Sequence, residues 1–158
     1  MSTTPIITKE ELLKHWQGHR VLTRRVIEAF PEKELFDFSV AGMRPFGELA
    51  KELLAIGVPG LQGIVNRADG AYSENGLEGI TTKEAVLKKW DEDTPKIDEL
   101  FRQIPDSDFH ETFNLFGQYN FPIIENILYF IDNEIHHRGQ GYVYLRSLGI
   151  QPPFFWER

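Results

Sequence analysis

The sequence predicts an all-α protein, a four-helix bundle folded as one domain over residues 1–158. Three observations carry that expectation: four long segments with apolar residues at helical period, capping signals at the starts of two of them, and no strong run alternating apolar with polar as strands do. The chain of 158 residues is 41% apolar, enough for a substantial core, and shows no compositional break that would mark a second domain.

The first helix opens at Thr8-Lys9-Glu10-Glu11, a capping box in which the hydroxyl accepts from the amide three residues on and the glutamate reaches back to the cap's own N–H. Leu12, Trp16, His19, Thr23, Val26, Ile27 and Phe30 then share one face at about 100° per residue, and Pro31 marks the exit. Trp16 reads as core, as does Trp90. Residues 32 to 44 form a turn-rich connection in which Phe36 and Phe38 tuck under as an apolar lid or pair as a short strand. Pro45 opens the second helix, where its missing N–H costs nothing. Within that helix Gly57-Val58-Pro59-Gly60 predicts either a kink or an end near Ile56 followed by a restart.

Residues 66 to 80, rich in Gly, Asn, Ser and Asp, read as a surface loop. A second capping box, Thr81-Thr82-Lys83-Glu84, begins the third helix, whose inward face is Val86, Trp90, Ile97, Leu100 and Phe101, with a bend expected at Pro95. After a connection to about Tyr119, Asn120 is the expected cap of the last helix, which runs to Gly149, a left-handed stop before Pro152 and Pro153. In that helix Ile124, Leu128, Ile131, Ile135, Tyr142 and Leu145 lie around one direction, while Phe130, Tyr144 and Leu148 cluster nearly opposite, beside His137. One face is expected in the bundle. The other should meet a loop, the aromatic tail Phe154-Phe155-Trp156, or a second subunit.

Composition bounds the function. A formal net charge of −7 argues against broad attraction to nucleic acid or anionic membrane, although Lys14, Arg20, Arg24 and Arg25 form a locally basic stretch. With no cysteine, any thiol chemistry must be brought in by a ligand. The N-terminus lacks the pattern of a signal peptide, and no apolar stretch approaches the ~20 residues of a spanning helix, so a cytoplasmic protein is expected.

The most informative segment is Asn133-Glu134-Ile135-His136-His137-Arg138-Gly139-Gln140, followed by Tyr142 to Arg146 and by Leu148-Gly149. Positions 133 and 137 sit one turn apart on one face, the spacing by which two side chains reach a single ion or substrate. Histidine occupies one and asparagine the other.

With Trp16 and its Arg-rich helix, Ile27 to Pro31, Arg44-Pro45-Phe46-Gly47-Glu48-Leu49 and His136 to Gln140, the chain resembles the DinB family of damage-inducible, YfiT-like bundles along almost its whole length. The resemblance implies an up-down-down-up bundle, often a homodimer, in a family named for induction after DNA damage rather than for DNA chemistry. It also implies a divalent-metal site of three histidines, whose positions correspond here to Glu52, Asn133 and His137. Only His137 keeps the family's ligand.

Glu52 and His137 are competent donors for zinc, nickel, manganese or iron, and an amide oxygen from Asn133 is a weak third. His19, on the inward face of the first helix, is an additional candidate ligand, although a core histidine with a hydrogen-bond partner is the commoner role. Glu52 also reads as a solvated helix glutamate, Asn133 as a partner of His137, and His136 as surface. Arg138, Gln140 and Arg146 suit interhelical hydrogen bonding or dimer contacts, and Arg138 or Arg146 also suits an anionic substrate.

Two functions compete, and no catalytic residue is assigned. The first is a stress-related, metal-free binding module with an altered metal site. The second, implied by the resemblance, is a metal-dependent S-transferase or related isomerase or hydrolase, in which the ion activates the thiol of an external low-molecular-weight cofactor. A small-molecule ligand and a second copy of the chain are the expected partners; nucleic acid and membrane are not.

Overall fold

A computed structural model describes residues 4–158. Its elements are helices α1 (Lys9–Ala29), α2 (Glu32–Asp37), α3 (Phe46–Asn66) and α4 (Lys83–Gln103), a 3₁₀ turn at Asp106–His110, strands β1 (Thr112–Leu115) and β2 (Tyr119–Pro122), and helix α5 (Ile123–Ser147). The four long helices form a bundle in which α1 packs against α4 and α5, as does α3, leaving α1 diagonal to α3.

Two apolar clusters fix the direction of each helix. One joins Leu12, Leu13 and Trp16 of α1 to Ile56, Leu61 and Ile64 of α3, Ile97 and Phe101 of α4, and Ile127 and Phe130 of α5. The other joins Val26 and Ile27 to Phe46 and Leu49, Val86 and Trp90, and Tyr144 and Leu145. The beginnings of α1 and α5 therefore lie at the same end as the finishes of α3 and α4, which makes the bundle up-down-down-up. Among the described residues no helix is long and apolar enough to cross a membrane.

The capping box forms as read: Glu11 N–H donates to Thr8 Oγ1 at 3.2 Å and Thr8 N–H donates to Glu11 at 2.7 Å. Helix α4 is capped one residue later than expected, by Thr82, whose hydroxyl accepts from the Ala85 N–H. Helix α3 continues unbroken through Pro59, neither ending nor restarting at Ile56. The proline ring is exposed while Ile56, Val58, Gly60 and Leu61 are buried, so packing on both sides of the missing bond holds the turn. Gly60 and Gly141 are needed for close approach: a Cβ would lie 2.6 Å from Phe130 Cζ at the first and 2.7 Å from Phe46 Cε2 at the second.

Two connections differ from expectation. The segment after Pro31 is the short helix α2, not a strand, and Phe36 and Phe38 are half-buried against the second cluster. The connection before α5 contains an antiparallel hairpin with Phe113 opposite Phe121, turned at Phe116 and Gly117, both of positive φ. Asn120 therefore pairs with Asn114 in the hairpin, and Pro122 stands at the helix start. Gly149 ends α5 with φ +76°, as predicted.

Between the two clusters lies a buried polar layer. Arg138 Nη1 donates to the His19 carbonyl and to Thr23 Oγ1, each at 3.1 Å, while the Thr23 hydroxyl donates to Glu134 Oε1 at 2.6 Å. Arg20 donates to the Trp90 carbonyl at 3.1 Å and lies over its ring at 4.2 Å. Burial pushes the Glu134 carboxyl up, against the pull of Arg20, the Thr23 hydroxyl and Arg138. With Arg20 buried, Arg24 paired to Asp91 and Arg25 to Glu157, the expected basic stretch is dispersed into separate contacts.

Removing one member of such a layer strands the others without water. Arg138→Met is expected to lower the unfolding free energy by about 3–5 kcal/mol, and adding Glu134→Gln to recover part of that loss. Urea denaturation of the single and double variants checks this; a single variant as stable as the parent contradicts it.

Candidate functional site

Asn133 and His137 lie one turn apart on the side of α5 that faces α3, and Glu52 stands opposite them. Asn133 Nδ2 donates to Glu52 Oε1 at 3.2 Å and His137 Nε2 donates to the same oxygen at 2.9 Å. The other oxygen, Oε2, accepts from Arg44 Nη2 at 2.6 Å. The structure thus brings the three sequence-predicted positions together and adds Arg44 to them.

Arg44 reaches Glu52 because its backbone is anchored: its carbonyl accepts from the Tyr144 hydroxyl at 2.8 Å. The chain approaches this point through a turn in which Ala41 and Gly42 both have positive φ. Gln140 completes the cluster. Its amide N–H faces Met43 Sδ at 3.6 Å, which leaves its oxygen to accept from His137 Nδ1 at 3.0 Å. Both ring nitrogens of His137 then face acceptors, and the protonated ring satisfies both.

The electrostatics agree with that assignment. Burial works to lower the His137 pKa, but the hydrogen bonds to Glu52 and Gln140 and the Glu52 charge outweigh it, leaving a net rise above the ordinary 6.5. The His137 hydrogen bond is also the largest influence on Glu52, followed by an opposing burial effect and then Arg44; together they hold its carboxyl at about 2 against an ordinary 4.5.

His19 is not part of this cluster. Its Nδ1 accepts from Arg138 Nη2 at 2.8 Å, and its Nε2 lies 3.2 Å from His15 Nε2 and 3.0 Å from Arg158 Nη1. Burial first, then Arg138, His15 and Arg158, depress its pKa to about 3, so it is a neutral core histidine that fastens α1 to α5. His136 and Arg146 are exposed, and Arg138 is spent on α1. The aromatic tail does not cover the second face of α5 either: Phe154, Phe155 and Trp156 are exposed, Glu157 pairs with Arg25, and Arg158 approaches His19 and Gly18.

Beside Glu52 opens a cleft of about 230 Å³ lined by residues that include Arg44, Glu52, Tyr72, Phe116, Tyr119 and Tyr129. Its walls come from the 67–82 loop and the hairpin, the two connections whose structure the apolar periodicity did not predict. Glu52 apart, Arg44 alone had a sequence signal, its place ahead of Pro45 in the motif that contains Glu48.

The sign of the pH dependence follows from the two shifts. Glu52, depressed to about 2, contributes stability that is present above pH 4.5 and lost as pH falls toward 2. His137, raised above 6.5, contributes stability that is full below 6.5 and lost as pH rises through its folded value. The difference in urea midpoint between the parent and Glu52→Gln is therefore expected to be largest between pH 4.5 and 6.5 and to shrink on both sides. A difference independent of pH contradicts the assignment.

The chain is similar to known proteins in one segment of its sequence and in its fold. Residues 114–157 match the DinB family. A crystal structure of a DinB-like protein from Bacillus cereus ATCC 10987 has the same fold, with a TM-score of 0.74 and 18% identity over 93% of this chain and 97% of that one. A DinB-like protein from Bacillus subtilis is similar, with a TM-score of 0.72 and 21% identity over 94% of this chain and 99% of that one. A search of curated proteins finds no match. The matched segment runs from the hairpin through α5 and contains Asn133, His137, Arg138 and Gln140, and the fold shared with the two DinB-like proteins extends over nearly the whole chain.

Proposed function

We propose that this protein is a metal-free DinB-like binding module, in which an ion-paired cluster stands where the family resemblance implies a divalent ion. The donor set is the observation that carries this reading. A metal ligand must offer a lone pair, and a His137 that donates from both nitrogens has none. Glu52 accepts on both oxygens, one of them from a guanidinium whose charge occupies the place a cation would take. Asn133 turns its amide N–H, not its oxygen, toward the cluster. These residues do not fit zinc, nickel, manganese or iron. Among the described residues there is also no group of three or more His, Asp or Glu able to hold such an ion. Activation of an external thiol depends on that ion, so the transferase reading has no support from this donor set.

The cleft beside Glu52 supports a small-molecule ligand, since it is concave, partly apolar and bordered by convergent polar groups. A second copy of the chain as partner is supported by a different observation. Leu128 and Ile135, two turns apart on α5, are 41% and 39% exposed, although the sequence pattern set them with the buried Ile131 and Leu145.

Protein purified without a histidine tag or chelator is expected to contain far less than one equivalent of Zn, Ni, Mn or Fe and to show no thermal shift when these ions are added. A stoichiometric, tightly held ion overturns the proposal and restores the transferase reading. The variant carrying both Glu52→His and Asn133→His is expected to acquire Ni²⁺ or Zn²⁺ binding, measurable by calorimetry. For the second copy, sedimentation should show a dimer that Ile135→Glu converts to monomer; a parent sedimenting as a monomer at high concentration refutes it.

A further inference from the structure

The walls and the charge of the cleft select a ligand class. Tyr72 and Phe116 meet edge to face with centroids 5.7 Å apart, and Tyr119 and Tyr129 stack at 5.2 Å. The four rings border a space of about 230 Å³, room for a group of a few heavy atoms and below the usual range for drug-sized ligands. Burial first, then Tyr119 and the charge of Glu52, push the Tyr129 phenol up to about 12, so the ring stays neutral.

At one edge of this space the Glu52 charge is met by both Arg44 and His137. Glu74, on the 67–82 loop, has no such partner. Its side chain accepts from the Tyr72 hydroxyl at 2.6 Å, a neutral donor, and no described residue forms an ion pair with it. A partly buried carboxylate without a counter-ion, among rings whose faces carry negative potential, complements a cation and repels an anion. The half-exposed Arg44 guanidinium, seated on Glu52, already illustrates a cation of this kind at the cleft edge.

We propose that the cleft binds a small organic cation, an alkylammonium or guanidinium group held between the two ring pairs with its charge toward Glu74. This deepens the metal-free binding reading and rests on it. The ligand is a cation because it supplies what Glu74 lacks, and organic because four rings would leave a strongly hydrated inorganic ion poorly solvated. Arg44 bounds the site but does not hold the ligand.

The test is titration of the whole chain with tetramethylammonium chloride and with methylguanidinium chloride, followed by amide NMR shifts and compared with sodium chloride at equal ionic strength. Saturable shifts at Tyr72, Glu74, Tyr119 and Tyr129 that sodium does not produce are expected. Glu74→Gln, on an exposed loop, should weaken binding at least about fivefold without changing the melting temperature, and Tyr129→Leu by a similar factor. Arg44→Met, which frees the Glu52 carboxylate at the cleft edge, should not weaken cation binding. Sodium benzoate is the opposing probe: if benzoate saturates the cleft, the cations do not, and Arg44→Met abolishes its binding, the cation inference is overturned while the binding-module reading stands. Absence of saturable binding by any probe at tens of millimolar overturns it as well. Stoichiometric bound metal would instead strike at the binding-module reading itself.

Discussion

Helix α5 turns two i,i+4 pairs toward two different neighbours, and the site depends on that division. Glu134 and Arg138 face α1, where they meet Thr23 and the His19 carbonyl; Asn133 and His137, one residue earlier in each case, face α3 and meet Glu52. Successive helical residues differ by about 100°, so locking one pair fixes the direction of the other. The Arg138 contact is buried and cannot be exchanged for water, which makes it the stronger register pin. His137 is held against Glu52 because its neighbour is held against α1.

The cluster around Glu52 owes little of its character to the strength of any one bond. An exposed arginine–carboxylate pair contributes only about 0–1 kcal/mol, and the Arg44 side chain is half-exposed. What the pair changes is where charge lies. Between His137 and Arg44 the Glu52 carboxylate has two cationic neighbours, so the positive charge that a metal would bring is supplied by side chains. The loop before α3 makes this possible, because Tyr144 holds the Arg44 backbone and Gln140 reaches Met43. Helix α5 thus positions both sides of the cluster.

Much of the fold was legible because its signals are local or periodic. The Thr8 capping box needs only residues a single turn apart, and the apolar stripe of α1 repeats often enough to identify Leu12, Trp16, Val26 and Ile27 as core. Gly149 was legible for a similar reason, since a left-handed residue ending a helix favours glycine. The hairpin was not: each strand has four residues, too few to establish alternation, and Asn120 resembles a helix cap as closely as it does a strand residue. Pro59 misled in the other direction. Its local cost is real, but burial on both sides of it offsets that cost, and burial is a property of the assembled bundle.

The sequence by itself determined the helical periods, the Thr8 cap, the Gly149 stop and the one-turn spacing of Asn133 and His137, all of which depend on residues near one another in the chain or on a pattern repeated along it. Only the tertiary structure decided that Glu52 completes that pair while His19 does not. Glu52 lies on α3, which packs on α5, whereas the His19 ring is claimed by Arg138 on the α1 side of the same helix. Only the assembled bundle, too, placed Arg44 on the free oxygen of Glu52 and gathered four rings and Glu74 around one cleft. Whether a side chain is a ligand, a counter-ion or a structural bolt depends on which neighbour reaches it first in three dimensions, and that information is absent from spacing along a single helix.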